Sequence, residues 1–216
     1  MPVQVKICGI NSAAAADAAV RAGADFGGLV FFARSPRNLT LEQGEMLGAR
    51  MRGRLRQAAL VVDESDERLA AIAAAVKPDF FQLHGKETPE RAADIRARFG
   101  IPVIKALPVA EPGDFARAIA YDDVAEILMF DASPAAGATR PGGHGAPFDW
   151  QILQDRRFAR PWFLAGGLTP QNVARAIEIS GATMVDVSSG VESTPGVKSE
   201  TRIAEFVAAA KQPVRA

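Results

Sequence analysis

Cys8 is the only thiol in a chain of 216 residues, and Asp131 closes an otherwise apolar run, Ile127-Leu128-Met129-Phe130. A free thiol ionises near pH ~8.5, and positive neighbours ease that ionisation. Composition alone would make Cys8 a small buried apolar residue. Its place at the end of a strand-like run, directly before Gly9, instead suits a reactive group. Lys6, two residues earlier, lies on the same side of a strand. It can favour the thiolate or pair with Asp186, and the sequence leaves both open. A carboxyl ending an apolar run must be paired, neutral or catalytic, because unpaired burial is costly; the plainer alternative is an exposed loop cap. One thiol and one carboxyl across a small mouth make a base and an acid.

Other residue types suit anion binding. Gly166-Gly167 and Ser188-Ser189-Gly190 follow two late apolar runs. Glycines let backbone amides approach an anion, and a helix N-terminus adds a favourable dipole. A single Gly-Gly is as easily a tight turn, but two such loops in adjacent units point to phosphate. Arg37, in Ser35-Pro36-Arg37, can clamp a carboxylate through two parallel hydrogen bonds, or be a solvated loop cation. His84, in Gln82-Leu83-His84-Gly85, either touches the substrate or packs at a strand end. His144, the other of two histidines, lies in a glycine-rich stretch and reads as loop. No His/Asp/Glu cluster has ligand spacing, so no metal site is expected.

These residues need a scaffold, and the chain supplies one. Short apolar runs recur at Val3–Cys8, Phe26–Phe31, Ala58–Val62, Phe80–His84, Val103–Ala106, Glu126–Phe130, Phe163–Ala165 and Met184–Val187. They are rich in β-branched and aromatic residues and lack polar alternation, as strands buried on both faces should. Helical stretches lie between them. Ser12, Thr40, Ser65, Thr88 and Thr169 stand where N-caps belong, the last two before a proline. Gly23 and Gly100 stand where left-handed caps belong. Regular alternation implies a parallel sheet covered by helices. No Gly-x-Gly-x-x-Gly follows the first strand, as an open dinucleotide-binding sheet would require. The expected fold is α/β, a single (β/α)₈ barrel occupying residues 1–216, with its chemistry at strand C-termini. The long segment Asp131–Phe148 is then a functional loop within the repeat.

Composition excludes several classes. Lys+Arg 25 balances Asp+Glu 25, which argues against a nucleic acid or an anionic membrane as partner. No apolar stretch approaches the ~18 residues of a membrane span. One cysteine precludes an internal disulfide, and the first residues carry no secretory signal pattern. A cytoplasmic enzyme acting on a phosphorylated small molecule is expected.

Eight segments together resemble the phosphoribosylanthranilate isomerases. They are Val5-Lys6-Ile7-Cys8-Gly9, Ser35-Pro36-Arg37, Gln82-Leu83-His84-Gly85, Leu128-Met129-Phe130-Asp131, Phe148-Asp149-Trp150, Leu164-Ala165-Gly166-Gly167-Leu168, Asp186-Val187-Ser188-Ser189-Gly190-Val191-Glu192 and Pro195-Gly196-Val197-Lys198. The resemblance implies a cofactor-free Amadori rearrangement of an aminoaldose to an aminoketose in tryptophan biosynthesis, by a protein expected to be monomeric. It implies Asp131 as general acid, Cys8 as general base, Arg37 on the anthranilate carboxylate, and His84 and Asp186 on the sugar. The loops after strands 7 and 8 would hold the phosphate. Gly142-Gly143-His144-Gly145 departs from the family's usual Gly-Gly-Thr-Gly, and Ser199 follows Lys198 where aspartate is usual.

Two other readings compete. The related isomerase of histidine biosynthesis shares the fold but uses an aspartate where this chain has Cys8. A non-catalytic phosphosugar-binding barrel would keep the glycine loops without needing Cys8 and Asp131 together. An aldol-type lyase would want a catalytic lysine or glutamate on the rim, and none is convincingly placed.

Overall fold

The computed structural model describes residues 2–133 and 148–212. Eight parallel strands close into a barrel in sequence order. They are β1 (Gln4–Cys8), β2 (Phe26–Val30), β3 (Arg56–Val61), β4 (Phe80–Leu83), β5 (Val103–Val109), β6 (Ile127–Ala132), β7 (Trp162–Leu164) and β8 (Met184–Val187). The barrel shuts where β8 pairs with β1, with Lys6 opposite Asp186. Among the described residues seven α-helices accompany them: α1 (Ala13–Ala22), α2 (Leu41–Met51), α3 (Asp66–Val76), α4 (Pro89–Phe99), α5 (Ala116–Ile119), α6 (Val173–Ser180) and α7 (Glu200–Ala210).

The helices begin where short polar side chains can take up the free amides of a first turn. Ser12, Ser65 and Thr88 accept from the amides of Ala15, Arg68 and Arg91. Thr40 and Gln43 form a reciprocal capping box. Thr169 does not cap as expected: α6 starts only at Val173. The Asn172 side chain instead ties the intervening turn, accepting from the Thr169 amide at 2.8 Å and donating to the Gly167 carbonyl at 2.9 Å. Strand bounds also shift. β3 begins two residues before the apolar run because Arg56 and Gln57 pair with β2, and Arg56 lies over the Phe26 ring at 3.8 Å. β6 runs past Asp131 to Ala132, paired to the end of β5, so Asp131 is a strand residue rather than a loop residue. Most of the expected Asp131–Phe148 loop, including Gly142-Gly143-His144-Gly145, lies outside the described residues.

Side chains alternate between the barrel interior and the helix-covered face. The interior cluster contains Phe26, Phe80, Ile104, Ala106, Ile127, Met129, Phe163 and Met184. Phe163 meets Phe26 edge-on at 5.1 Å; truncating either ring to Ala would cost about 3–5 kcal/mol. The larger outer cluster joins the opposite strand faces to the helices, with alanines 15, 16, 18 and 19 of α1 fully covered. No described helix is long and apolar enough to cross a membrane. One element was not foreseen: a two-stranded hairpin, β9 (Glu192–Thr194) with β10 (Val197–Lys198), on the functional rim after β8.

Candidate active site

Interior parity carries Lys6, Cys8, Gln82, His84, Asp131 and Asp186 toward one mouth, since each is an even number of residues from an interior neighbour on its own strand. Cys8 is 4% exposed, and Lys6 is fully buried beneath it. Gly28 on the adjacent strand makes room for both. A Cβ there would lie 3.1 Å from the Cys8 Sγ and 3.1 Å from the Lys6 Nζ. Lys6 Nζ donates to Asp186 Oδ1 at 2.8 Å. The two roles left open for Lys6 are therefore filled together: it pairs with Asp186 and also acts on the thiol. Burial pushes the Cys8 thiol up, Lys6 pulls it back, Asp186 pushes it up again, and the thiol rests above its ordinary range. Burial pulls Lys6 down, but the attraction of Asp186 and Cys8 outweighs it, so the ammonium is held more firmly than usual.

Asp131 is 8% exposed, which is not the exposed loop cap. Its Oδ2 lies 3.2 Å from His84 Nε2, and His84 Nδ1 lies 3.0 Å from Gln82 Nε2. The loop bearing His84 is braced from outside the barrel. Lys105 Nζ donates to the Leu83 and Gly85 carbonyls and to Glu87 Oε2 at 2.7 Å. Glu87 in turn accepts from the amides of Asp63 and Gly85. Lys105 and Glu87 are thus rim residues the sequence reading passed over. Paired and covered, they hold backbone rather than substrate.

Arg37 is buried and already engaged. Its Nε and Nη2 donate to Glu192 Oε1 and Oε2 at 2.6 and 2.8 Å. Lys198 Nζ donates to the same Oε1 at 2.8 Å and to the Ser188 carbonyl at 2.9 Å. Burial alone would push the Glu192 carboxyl up, but Arg37, Lys198 and the Gly196 amide hold it down to about 2. The unforeseen hairpin therefore carries a buried Arg–Glu–Lys chain joining the Arg37 loop to the loop after β8. In the sequence Glu192 and Lys198 stand only as members of two motifs, and nothing in their spacing marks them as partners of Arg37.

The glycine loops after β7 and β8 meet. Gly166 and Gly167 both adopt positive φ, at 87° and 66°, a backbone that L side chains enter only with strain. Gly190 packs directly on the preceding loop, where a Cβ would strike the Leu168 carbonyl oxygen. Ser189–Val191 forms one 3₁₀ turn, whose first amides have no partner within the turn. Ser188 Oγ donates to the Cys8 carbonyl at 3.2 Å, tying this loop to the thiol strand.

A closed barrel with a buried thiol and a buried carboxyl at its C-terminal mouth and glycine loops after strands 7 and 8 defines a (β/α)₈ protein of the kind that handles small phosphorylated substrates. Residues 5–209 match the family described as N-(5'phosphoribosyl)anthranilate (PRA) isomerase, and the chain belongs to that family. Its curated relatives include the N-(5'-phosphoribosyl)anthranilate isomerase of Cereibacter sphaeroides, 49% identical and covering 97% of this chain and 99% of the relative. That of Paramagnetospirillum magneticum is 50% identical and covers 98% of each. Among solved structures, the phosphoribosyl anthranilate isomerase from Thermotoga maritima superimposes with a TM-score of 0.86 at 35% identity, over 97% of this chain and 98% of that one. Another was solved in complex with reduced 1-(o-carboxyphenylamino)-1-deoxyribulose 5-phosphate, with a TM-score of 0.83 at 34% identity over 97% of this chain and 98% of that one.

Proposed function

We propose that the protein isomerises N-(5'-phosphoribosyl)anthranilate to 1-(2-carboxyphenylamino)-1-deoxyribulose 5-phosphate, with Asp131 as general acid and Cys8 as general base. The supporting observation is a buried carboxyl and a buried thiol on strands β6 and β1 facing one mouth. Asp131 gives its proton to the ribose ring oxygen; the C1–O bond breaks as the anthranilate nitrogen lone pair forms the C=N bond. Cys8, as thiolate, then removes the C2 proton, and the resulting enolamine tautomerises to the ketone. Electrons are rearranged within the substrate, so no redox partner enters the balance.

Arg37 meets the anthranilate carboxylate through Nη1 and the second hydrogen of Nη2, the edge adjacent to the Nε/Nη2 edge that Glu192 occupies. Gly166, Gly167, Ser188, Ser189 and Gly190 receive the phosphate on backbone amides, the geometry such loops favour. Asp186 orients the ribose hydroxyls, and His84, its two ring nitrogens set against Gln82 and Asp131, acts on the sugar through Asp131. In this reading residues 1–216 form one domain, the groups named all lie on one chain, and a cytoplasmic monomer is the working unit. Light scattering checks the last point.

The reaction is tested by following loss of anthranilate-type fluorescence from substrate generated in situ, with a metal chelator present. Rapid loss beyond spontaneous breakdown is expected from the native protein. Cys8→Ser and Asp131→Asn are expected to lose about 10²–10⁴-fold in kcat while still binding a phosphosugar. Both variants turning over at the native rate would reject the assignment of acid and base.

A further inference from the structure

Gln82 is fully buried on β4, inside the barrel, and its side chain has an unbalanced set of partners. Its Nε2 lies 3.0 Å from His84 Nδ1 and 3.3 Å from Met129 Sδ. Its Oε1 has no hydrogen-bond partner among the described residues. Met129 stands two residues before Asp131 on β6, and small Ala106 of β5 sits between the two strands. The barrel interior therefore holds two stacked rungs from β4 to β6, Gln82 to Met129 and His84 to Asp131.

The amide could stand either way round, and counting donors and acceptors decides between the two. A thioether accepts but never donates. With Nε2 toward Met129 and His84, both amide protons find acceptors and one carbonyl oxygen goes without. Reversed, the carbonyl oxygen would face the Met129 sulfur, an acceptor with no proton to give. An under-satisfied carbonyl is tolerated better than an orphaned N–H. The amide donor then fixes His84 Nδ1 as acceptor, which places the single proton of the neutral ring on Nε2, 3.2 Å from Asp131 Oδ2.

We infer that Gln82 is a positioning residue for the acid step: it selects the His84 tautomer whose Nε2–H points at Asp131. The inference rests on the reading of Asp131 as general acid. When Asp131 gives up its O–H proton to the ring oxygen, the carboxylate it becomes meets a donor already in place. A hydrogen bond to an ionised acceptor is about twice as strong as one to a neutral acceptor, so this contact strengthens as charge develops. The opposite tautomer would present a lone pair to the nascent carboxylate.

Imidazole ¹⁵N NMR reads the tautomer directly. His84 and His144 are the only histidines, and His84→Asn assigns the signals. The native protein near neutral pH is expected to show His84 Nδ1 as pyridine-type and Nε2 as protonated. Gln82→Glu, an acceptor only, is expected to draw the proton to Nδ1 or leave the ring doubly protonated. Gln82→Leu, which also removes the orphaned oxygen, is expected to fold and to lose at least about tenfold in kcat with KM changed by less than about threefold. That loss stays below the ~10⁴ that a wrong histidine tautomer costs a Ser-His-Asp triad. A native signal with the proton on Nδ1 overturns the inference. So does a Gln82→Leu protein with native kcat, or one changed in KM alone, which marks a packing role. If Gln82→Glu fails to fold, the native spectrum and Gln82→Leu still decide. Native turnover in Asp131→Asn would remove the acid assignment while leaving the tautomer measurement standing, so the two failures are distinguishable.

Discussion

At the scale of single residues the site turns on a thiol that its surroundings keep protonated. Burial raises Cys8 above its ordinary range, and Lys6 offsets this only in part. A base that must be a thiolate is then scarce at neutral pH and grows with alkalinity. The ultraviolet thiolate absorbance of the native protein, less that of Cys8→Ser, should therefore still be growing beyond pH 9, and a signal already complete at pH 7 would mean that Lys6 outweighs burial. Gly28→Ala probes the same environment sterically, since its Cβ would sit 3.1 Å from both the Sγ and the Lys6 Nζ. A loss of turnover there larger than the loss of stability is expected from activity and unfolding measured together. The sequence displayed Cys8 and Asp131 because each interrupts its context, one as the sole thiol and one as a charge ending an apolar run. It could not display Gly28 or Gln82. Their importance comes from what the neighbouring strand brings within 3.1 and 3.0 Å of them, and pairing across a barrel leaves no mark on local spacing.

At the scale of elements the β9–β10 hairpin matters most. It holds Arg37 from behind through Glu192, whose carboxyl is held down to about 2 from an ordinary 4.5. A depressed folded value means that the unfolded chain binds the proton more readily. The stabilisation is thus present above about pH 4.5 and is lost as pH falls toward 2. Glu192→Gln leaves two buried cations short of a counter-charge, and removing one partner of such a group costs about 3–5 kcal/mol. Urea unfolding should show that deficit at pH 7 and a narrowing gap between variant and native protein as pH drops below 4. A gap constant with pH would mean Glu192 is not ionised in the fold. The barrel itself was legible: capping residues, buried runs and their alternation located all eight strands to within a few residues. The hairpin was not, because five polar or turn-forming residues around Pro195-Gly196 resemble any solvated loop. Only contact with Arg37, more than a hundred residues away, buries their charges.

At the scale of the whole molecule, the Lys6–Asp186 pair sits on the seam where β8 closes against β1. The position invites the view that this ion pair locks the barrel, but the energetics argue otherwise. Two charges lose several kcal/mol of hydration on burial, and replacing such a pair with apolar groups of similar size is often neutral or stabilising. The backbone ladder from Gln4 to Ile7 closes the seam without it. Its retention fits the chemistry, because Lys6 acts on Cys8 and Asp186 faces the same mouth. Lys6→Met alone should destabilise by about 3–5 kcal/mol, leaving a buried carboxylate unpaired. Lys6→Met combined with Asp186→Leu should recover most of that loss, a strongly non-additive result for touching residues. Turnover should be lost in both proteins. Denaturant midpoints and the fluorescence assay on the same samples separate the two properties: a double variant as unstable as the single one would make the pair a structural lock, and recovered stability without activity would place it among the groups a barrel keeps for its reaction.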